Sequence, residues 1–307
     1  MPIPTAREHI RDIVASTADE LLEALNPRTG DWGDSAPRWI FRGQMNAEWK
    51  LVPSAMRGTR DDHPFRHFGI LDTPYVQWLA SNIETSPNWS VRTERVKLML
   101  SDFLDALNAQ GLTIPTDSPP LDYRAVVEST GNVRRAAFPL MALAQHHGLP
   151  TLLLDWTQRA WVAAYFAALS AAAVVKRSLQ GQSSHDETAT HLAVWALARS
   201  NDREDLGTSI FFYDAPASAN PNLRAQSGLF TWWTFDGPED VSLDDHIAWL
   251  VAQHRGHHPE LRRFILPIGE APRLLRLLAL EHIHGASMFP GVDGVVKTMK
   301  ERTLWDD

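Results

Sequence analysis

The chain has 307 residues and no cysteine, which excludes disulfides, thiolate metal sites and a cysteine nucleophile. Its formal net charge of −8 argues against extended, non-specific binding along nucleic acid. Without a secretory signal or a run of eighteen or more apolar residues, the chain is expected to be cytoplasmic and to make no membrane contact.

The first thirty residues predict an N-terminal helix. Thr5 and Glu8 have the spacing of a capping box, and apolar residues from Ile10 onward recur at helical intervals. Asn26-Pro27 is a stop signal. The sequence therefore predicts a helix over residues 5–25.

The following segments alternate between strands and helices. Residues 38–42 are aromatic and β-branched and predict a strand that ends at Gly43. Residues 61–135 predict a mainly helical insertion, and a further helix over about 138–147 ends at Gly148.

The second half predicts a strand at 151–154 and an Ala-rich helix at about 158–175. Three more strands and one helix follow, at 191–198, 209–213, 261–268 and 271–282. Because strands and helices interleave irregularly, we predict one α+β domain over residues 1–307.

Four motifs occur in order along the chain. They are Phe41-Arg42-Gly43-Gln44, Gln145-His146-His147-Gly148-Leu149-Pro150-Thr151 with Leu154-Asp155-Trp156-Thr157, Asn222 to Phe230, and Phe289 to Gly294. This order resembles the FRG domain family, named for its Phe-Arg-Gly triplet, over roughly residues 36–300. Leu152 departs from the pattern, which has a basic residue after Pro-Thr.

The chain also resembles ADP-ribosyltransferases of the Arg-Ser-Glu type. The strand ending in aromatic-Arg-Gly and the Ala-rich helix after Thr157 carry this second resemblance. It implies a small, split, mostly antiparallel, ADP-ribosyltransferase-like sheet with a large helical insertion, and NAD as substrate. Gln226 stands where these enzymes have Glu, and an amide cannot supply that negative charge.

Arg42 is the principal candidate for ligand binding. Its planar fork suits a phosphate or carboxylate, and Gly43 beside it would let a ligand approach the backbone. Gln44, which follows the Phe-Arg-Gly triplet, is a further cofactor-binding candidate. The alternative for Arg42 is a buried structural ion pair.

His146, His147 and Asp155 are the titratable candidates. A histidine suits general acid–base chemistry at neutral pH, but the helix dipole also favours histidine in a last helical turn. Asp155 could orient a histidine or Arg42, or bind ribose hydroxyls. It could equally be a charge at a helix N-terminus.

The remaining candidates have a structural alternative as well. Thr157 suits an N-cap, and Gln226 could hold a turn or a ribose hydroxyl. Trp156 and Tyr165 could stack on nicotinamide or pack in the core. The His- and Asp-containing segments 61–67 and 254–258 lack a metal-binding pattern, so we predict no metal.

Three functional hypotheses follow. The first is a bacterial toxin or anti-phage effector that uses NAD, transferring ADP-ribose to an unknown macromolecular acceptor or hydrolysing NAD, with a possible antitoxin or immunity partner. The second is a module that binds a nucleotide or a nucleic-acid end without catalysis. The third is a structural interaction protein, in which Arg42 would be buried and paired without an open cleft.

Overall fold

The computed structural model describes most of the chain. The described residues are 9–28, 32, 38–58, 65, 88–116, 122–127, 135–181, 189–199, 209–216, 220–234, 242–253 and 259–305. Their strands are β1 (Ile10–Val14), β2 (Arg38–Gln44), β3 (Leu154–Thr157), β4 (His191–Arg199), β5 (Ile210–Tyr213), β6 (Gly228–Trp233) and β7 (Leu261–Pro267). Their α-helices are α1 (Ala18–Ala24), α2 (Asn88–Ala109), α3 (Tyr123–Val127), α4 (Phe138–His146), α5 (Ala160–Leu179), α6 (Pro221–Gln226), α7 (Leu243–Ala252), α8 (Ala271–Leu280), α9 (Gly285–Met288) and α10 (Val292–Arg302).

The described strands form one open sheet in the order β1-β7-β4-β2-β3-β6-β5. Every neighbouring pair is antiparallel except β1 with β7. The predicted α+β class and mostly antiparallel sheet are therefore confirmed. The sheet is continuous where a small, split one was predicted, but β2 and β3 pair only through Phe41 and Thr157. This single pair joins a four-stranded half to a three-stranded half.

Side chains alternate between the two faces of the sheet and build a core on each face. On one face, Ile40 and Trp195 belong to a cluster that includes residues of α2, α4 and α7. On the other, Phe41 and Val194 pack with residues of α1, α5 and α8. The fold thus has three layers, with the sheet in the middle.

The predicted helix over residues 5–25 is wrong over residues 10–14. Ile10–Val14 is strand β1, which pairs in parallel with β7, so sheet pairing outweighs the helical spacing of its apolar residues. The helix begins later, where the side chain of Thr17 accepts a hydrogen bond from the Glu20 backbone. The proposed Thr5–Glu8 capping box lies outside the described residues.

The strand predicted at 151–154 occurs three residues later, as β3. Asp155 and Thr157 belong to the strand because β3 pairs along its whole length with β6, a strand that the sequence analysis did not predict. The predictions for β2, β4, β5, β7, α4 and α8 are confirmed to within about two residues.

The described part of 61–135 contains α2, α3 and the start of a 3₁₀ turn, and the rest lies outside the described residues. Among described helices, α5 alone is long and apolar enough to cross a membrane by length and composition. It packs against β2 and α8, and half of its most apolar window is buried, which is the position of a core helix.

Candidate functional site

A cavity of about 330 Å³ lies beside the single pair that joins β2 to β3. We call it the site cleft. It is lined by residues of β2, β3, α5 and α6: Phe41, Arg42, Gly43, Asp155, Trp156, Thr157, Ala163, Phe166, Ser170 and Gln226. Six of the predicted site residues are therefore brought to one place from positions that are far apart in the sequence.

Arg42 is anchored on one side of its guanidinium. Its Nη1 donates to the Asp155 carbonyl at 2.8 Å and faces the Asp155 Oδ2 at 3.4 Å. The Arg42 side chain is 14% exposed and that of Asp155 is 57% exposed. The Arg42 Nε is buried without an acceptor, a state that costs about 1–3 kcal/mol.

A hydrogen-bond network fixes the carboxylate of Asp155. The Gln145 side-chain amide donates to Asp155 Oδ1, and the Thr151 hydroxyl donates to Gln145 Oε1. The Thr151 backbone in turn donates to Ser54 Oγ at 3.0 Å. The second motif therefore places Asp155 through Gln145, a residue that was not predicted as a site residue.

Thr157 and Gln226 connect β3 to the end of α6. The Thr157 hydroxyl donates to the Gln226 carbonyl at 2.6 Å and accepts from the Arg159 backbone at 3.1 Å. Gln226 Nε2 donates to the Met288 carbonyl at 3.1 Å. That bond uses one of the two N–H donors of the amide, while no described residue donates to its Oε1. Gln226 can thus offer an acceptor to a ligand hydroxyl.

Gly43 lines the site cleft, but the close packing of α5 is what requires glycine at this position. A Cβ at this position would lie 2.0 Å from the Ala163 carbonyl oxygen and 2.7 Å from the Ala167 nitrogen. Both are backbone atoms of a helix, which cannot easily yield. Gly43 therefore lets α5 approach β2, in contrast to the expected role of admitting a ligand.

Four predicted site residues lie away from the site cleft, and two of them, Gln44 and Tyr165, are buried. Gln44 is buried and accepts from the Trp195 indole at 2.7 Å. Tyr165 is fully buried and donates to the Glu301 carboxylate. Burial and this hydrogen bond raise the pKa of Tyr165 far above its ordinary value. Both residues hold the fold together, and Tyr165 cannot stack on a ligand there.

Trp156 contributes to the wall of the site cleft, but it is only 4% exposed. Its indole nitrogen donates to the Thr231 hydroxyl at 2.8 Å. Core packing thus accounts for most of its surface, and little of the ring remains available for stacking.

His146 and His147 line a separate, smaller cavity of about 140 Å³. Both are exposed, with ring centroids 5.0 Å apart. Desolvation, and then the charge of His147, lower the pKa of His146. The structure thus brings Arg42, Asp155 and Gln226 together and leaves both histidines outside the site cleft.

Three further lining residues were missed: Ala163, Phe166 and Ser170 of α5. Their spacing of three and four residues places them on one face of the helix, and this spacing was a signal available in the sequence. Among the described residues, no group of three or more His, Asp or Glu side chains could hold a metal ion. The segments 61–67 and 254–258 lie almost wholly outside the described residues.

Residues 37–175 match the family model of the FRG domain. This part of the chain is an FRG domain. No curated protein and no solved structure matches the chain. The FRG domain supplies Arg42, Asp155 and Thr157, whereas Gln226 and Met288 come from beyond the matched residues. The resemblance to ADP-ribosyltransferases stays a prediction.

Proposed function

We propose that the chain binds NAD in the site cleft and cleaves its nicotinamide–ribose bond. ADP-ribose would pass to a macromolecule or to water, in a cytoplasmic toxin or anti-phage effector that an antitoxin or immunity partner restrains. The observation that carries the proposal is the half-engaged guanidinium of Arg42, with an orphaned Nε, beside an open cleft.

The lining residues offer complementary groups to such a ligand. Arg42 would hold a phosphate or ribose oxygen through the part of its fork that Asp155 does not use. The Oε1 of Gln226 would accept a hydrogen bond from a ribose hydroxyl. Asp155 is the one carboxylate among the described lining residues, so it would oppose positive charge that develops on the ribose.

The reaction would exchange one bond at the ribose for another. Nicotinamide leaves with the electrons of its glycosidic bond, and the acceptor's nucleophilic atom forms the new bond and loses a proton. Because the histidines line another cavity, Asp155 would take that proton in place of the histidine that the sequence suggested.

Nicotinamide release from NAD tests this proposal. We expect release by the wild-type protein in the presence of protein, DNA or RNA acceptors or of water alone. Arg42→Ala should lower the rate at least about 100-fold, as removal of a positioned charge donor does. Arg276→Ala is the matched control, since Arg276 is exposed on α8. The absence of both NAD binding and nicotinamide release in the wild type would refute the proposal.

A second candidate function is nucleotide binding without catalysis. Gln226 favours it, because a neutral amide that is hydrogen-bonded to the Met288 carbonyl cannot supply the negative charge of a catalytic Glu. This alternative predicts that NAD raises the melting temperature of the wild type, but not of Arg42→Ala, while no nicotinamide appears. The purely structural alternative fits less well, because Arg42 pairs with an exposed carboxylate beside an open cleft.

A further inference from the structure

The solvent-facing side of α10 is apolar. Val292, Val295, Val296 and Met299 are 79%, 52%, 43% and 64% exposed. Their spacing of three and four residues places them along one face of the helix, and we call this face the α10 stripe. A helix of a globular protein usually turns such a stripe toward the core, because burial removes apolar surface from water. The α10 stripe therefore has the composition of a surface that another molecule covers.

The opposite side of α10 is fixed against the rest of the chain. Glu301 is buried and accepts from the Tyr165 hydroxyl and from the Gly285 backbone. Gly294 is buried as well, and a Cβ there would lie 1.8 Å from the Phe289 carbonyl oxygen. These contacts keep α10 from rotating about its axis. The fourth motif of the sequence, which ends at Gly294, thus helps to set the direction in which the α10 stripe points.

Two opposite charges flank the α10 stripe on one side. Asp293 and Lys300 are seven residues apart, which is close to two helical turns, so both project from the same flank. Both are exposed, and neither side chain makes a hydrogen bond or an ion pair with a residue that the structure describes. Their order also suits the helix dipole, but the dipole gives no reason for an exposed apolar stripe beside them.

A second copy of α10 that runs antiparallel complements both the α10 stripe and its flank. A two-fold axis at the middle of the stripe sets Val295 against Val296 of the second copy, and Val296 against Val295. In an antiparallel pair, each flank of one helix meets the same flank of the other. Asp293 therefore comes opposite Lys300 of the second copy, and Lys300 opposite Asp293. Two reciprocal ion pairs beside an apolar centre make a self-complementary interface.

We propose that the α10 stripe is a homodimerisation surface, on which two copies of the chain pack their α10 helices antiparallel. Four apolar side chains from each copy make a small contact. The dimer should therefore be reversible, with a dissociation constant of about 1–100 µM. The inference goes beyond the proposed function and does not depend on it, because no residue of the α10 stripe lines the site cleft.

Sedimentation velocity of the whole chain, over concentrations of about 1–200 µM, tests the dimer. Asp293→Lys places like charges opposite each other at both ends of the interface, so it should raise the dissociation constant about tenfold. Lys300→Asp should raise it to a similar extent. The double variant with both substitutions restores opposite charges and should dimerise within about threefold of the wild type.

A mixture of the two single variants gives the sharpest readout. In the mixture, one copy carries two positive charges on this flank and the other copy carries two negative charges. The two should therefore form a heterodimer, while neither variant pairs well with itself. A variant that had merely misfolded would not be rescued by the other. Circular dichroism should show each variant folded.

Val295→Ser tests the apolar part of the contact. Each dimer loses two valine side chains from its centre, so the dissociation constant should rise at least about tenfold. Leu112→Ser is the matched control, because Leu112 is 58% exposed beyond α2, on the other face of the sheet from α5. It should leave the dissociation constant unchanged.

A chain that stays monomeric at the highest concentration would overturn the proposal. A dimer that is indifferent to Val295→Ser and to both charge reversals uses another surface and would overturn it equally. Binding of a monomeric chain to vesicles of anionic phospholipid, if Val295→Ser abolishes it, would assign the α10 stripe to a lipid surface and overturn the dimer as well.

Discussion

Arg42 shows how a single residue can separate a ligand site from a structural ion pair. A structural pair would engage the fork of the guanidinium with a buried, well-ordered carboxylate. Here one terminal nitrogen serves both the carbonyl and the carboxylate of Asp155, and the partner is largely exposed. The motif predicted the importance of Arg42, but only the structure shows that part of its binding capacity is unused.

Gly43 gives the sharpest stability prediction at this scale. Gly43→Ala should lower the free energy of unfolding by about 2–3 kcal/mol, because its Cβ would collide with backbone atoms of α5. Urea denaturation measures the change. Gly269→Ala is the control, since a Cβ there meets no atom within 4 Å, and it should change stability little. Equal stability of the two variants would show that α5 leaves room for a Cβ at position 43 of β2.

At the scale of elements, the sequence predicted those whose limits are set by local signals, and it misplaced strands whose limits are set by a distant pairing partner. The helix α4 was predictable because Pro139 at its start and Gly148 beyond its end are local signals. Strand β1 was not, because Ile10 and Ile13 fit a helix as well as a strand, and β7 lies some 250 residues away. Strand β3 was displaced for the same reason, since its limits are set by β6.

The helix α5, which lines the site cleft, is tied to the C-terminal helices through Glu301. This carboxylate is 3% exposed and accepts from the Tyr165 hydroxyl and from the Gly285 backbone. Glu301→Ala should cost about 2–4 kcal/mol of unfolding free energy, because it leaves two buried donors without an acceptor. Thermal and urea denaturation measure the loss.

The neighbouring Lys300→Ala provides the control for Glu301, because Lys300 is exposed on the same helix. Its effect should stay within about 0.5 kcal/mol. Similar losses in the two variants would mean that the contact between α5 and α10 does not depend on the buried carboxylate.

On the scale of the whole molecule, the candidate site needs both halves of the sheet. Arg42 comes from the four-stranded half, Asp155 and Thr157 come from the three-stranded half, and Phe41 with Thr157 forms the single pair between them. Gln226 arrives from outside the matched FRG residues. The order of motifs in the sequence predicted which segments matter, because polar residues at strand ends gather at one place.

The sequence could not rank those residues by their role. Gln44 lies two residues after Arg42 on the same strand, yet it binds buried Trp195. Tyr165 lies in the face of α5 that meets Glu301, while Phe166 beside it lines the site cleft. Such differences depend on how helices and sheet are rotated against each other, which no local pattern specifies. The packing of α4 against the sheet likewise places the two histidines in another cavity, and no local pattern in the sequence specifies that packing.

A crystal structure of the chain with NAD tests the central claim most directly. We predict the dinucleotide in the site cleft, with an oxygen of its pyrophosphate or ribose within hydrogen-bond distance of the Arg42 guanidinium and a ribose hydroxyl near Gln226 Oε1. An empty site cleft at saturating NAD, with Arg42 still bound only to Asp155, would contradict the account. NAD bound elsewhere on the molecule would contradict it equally.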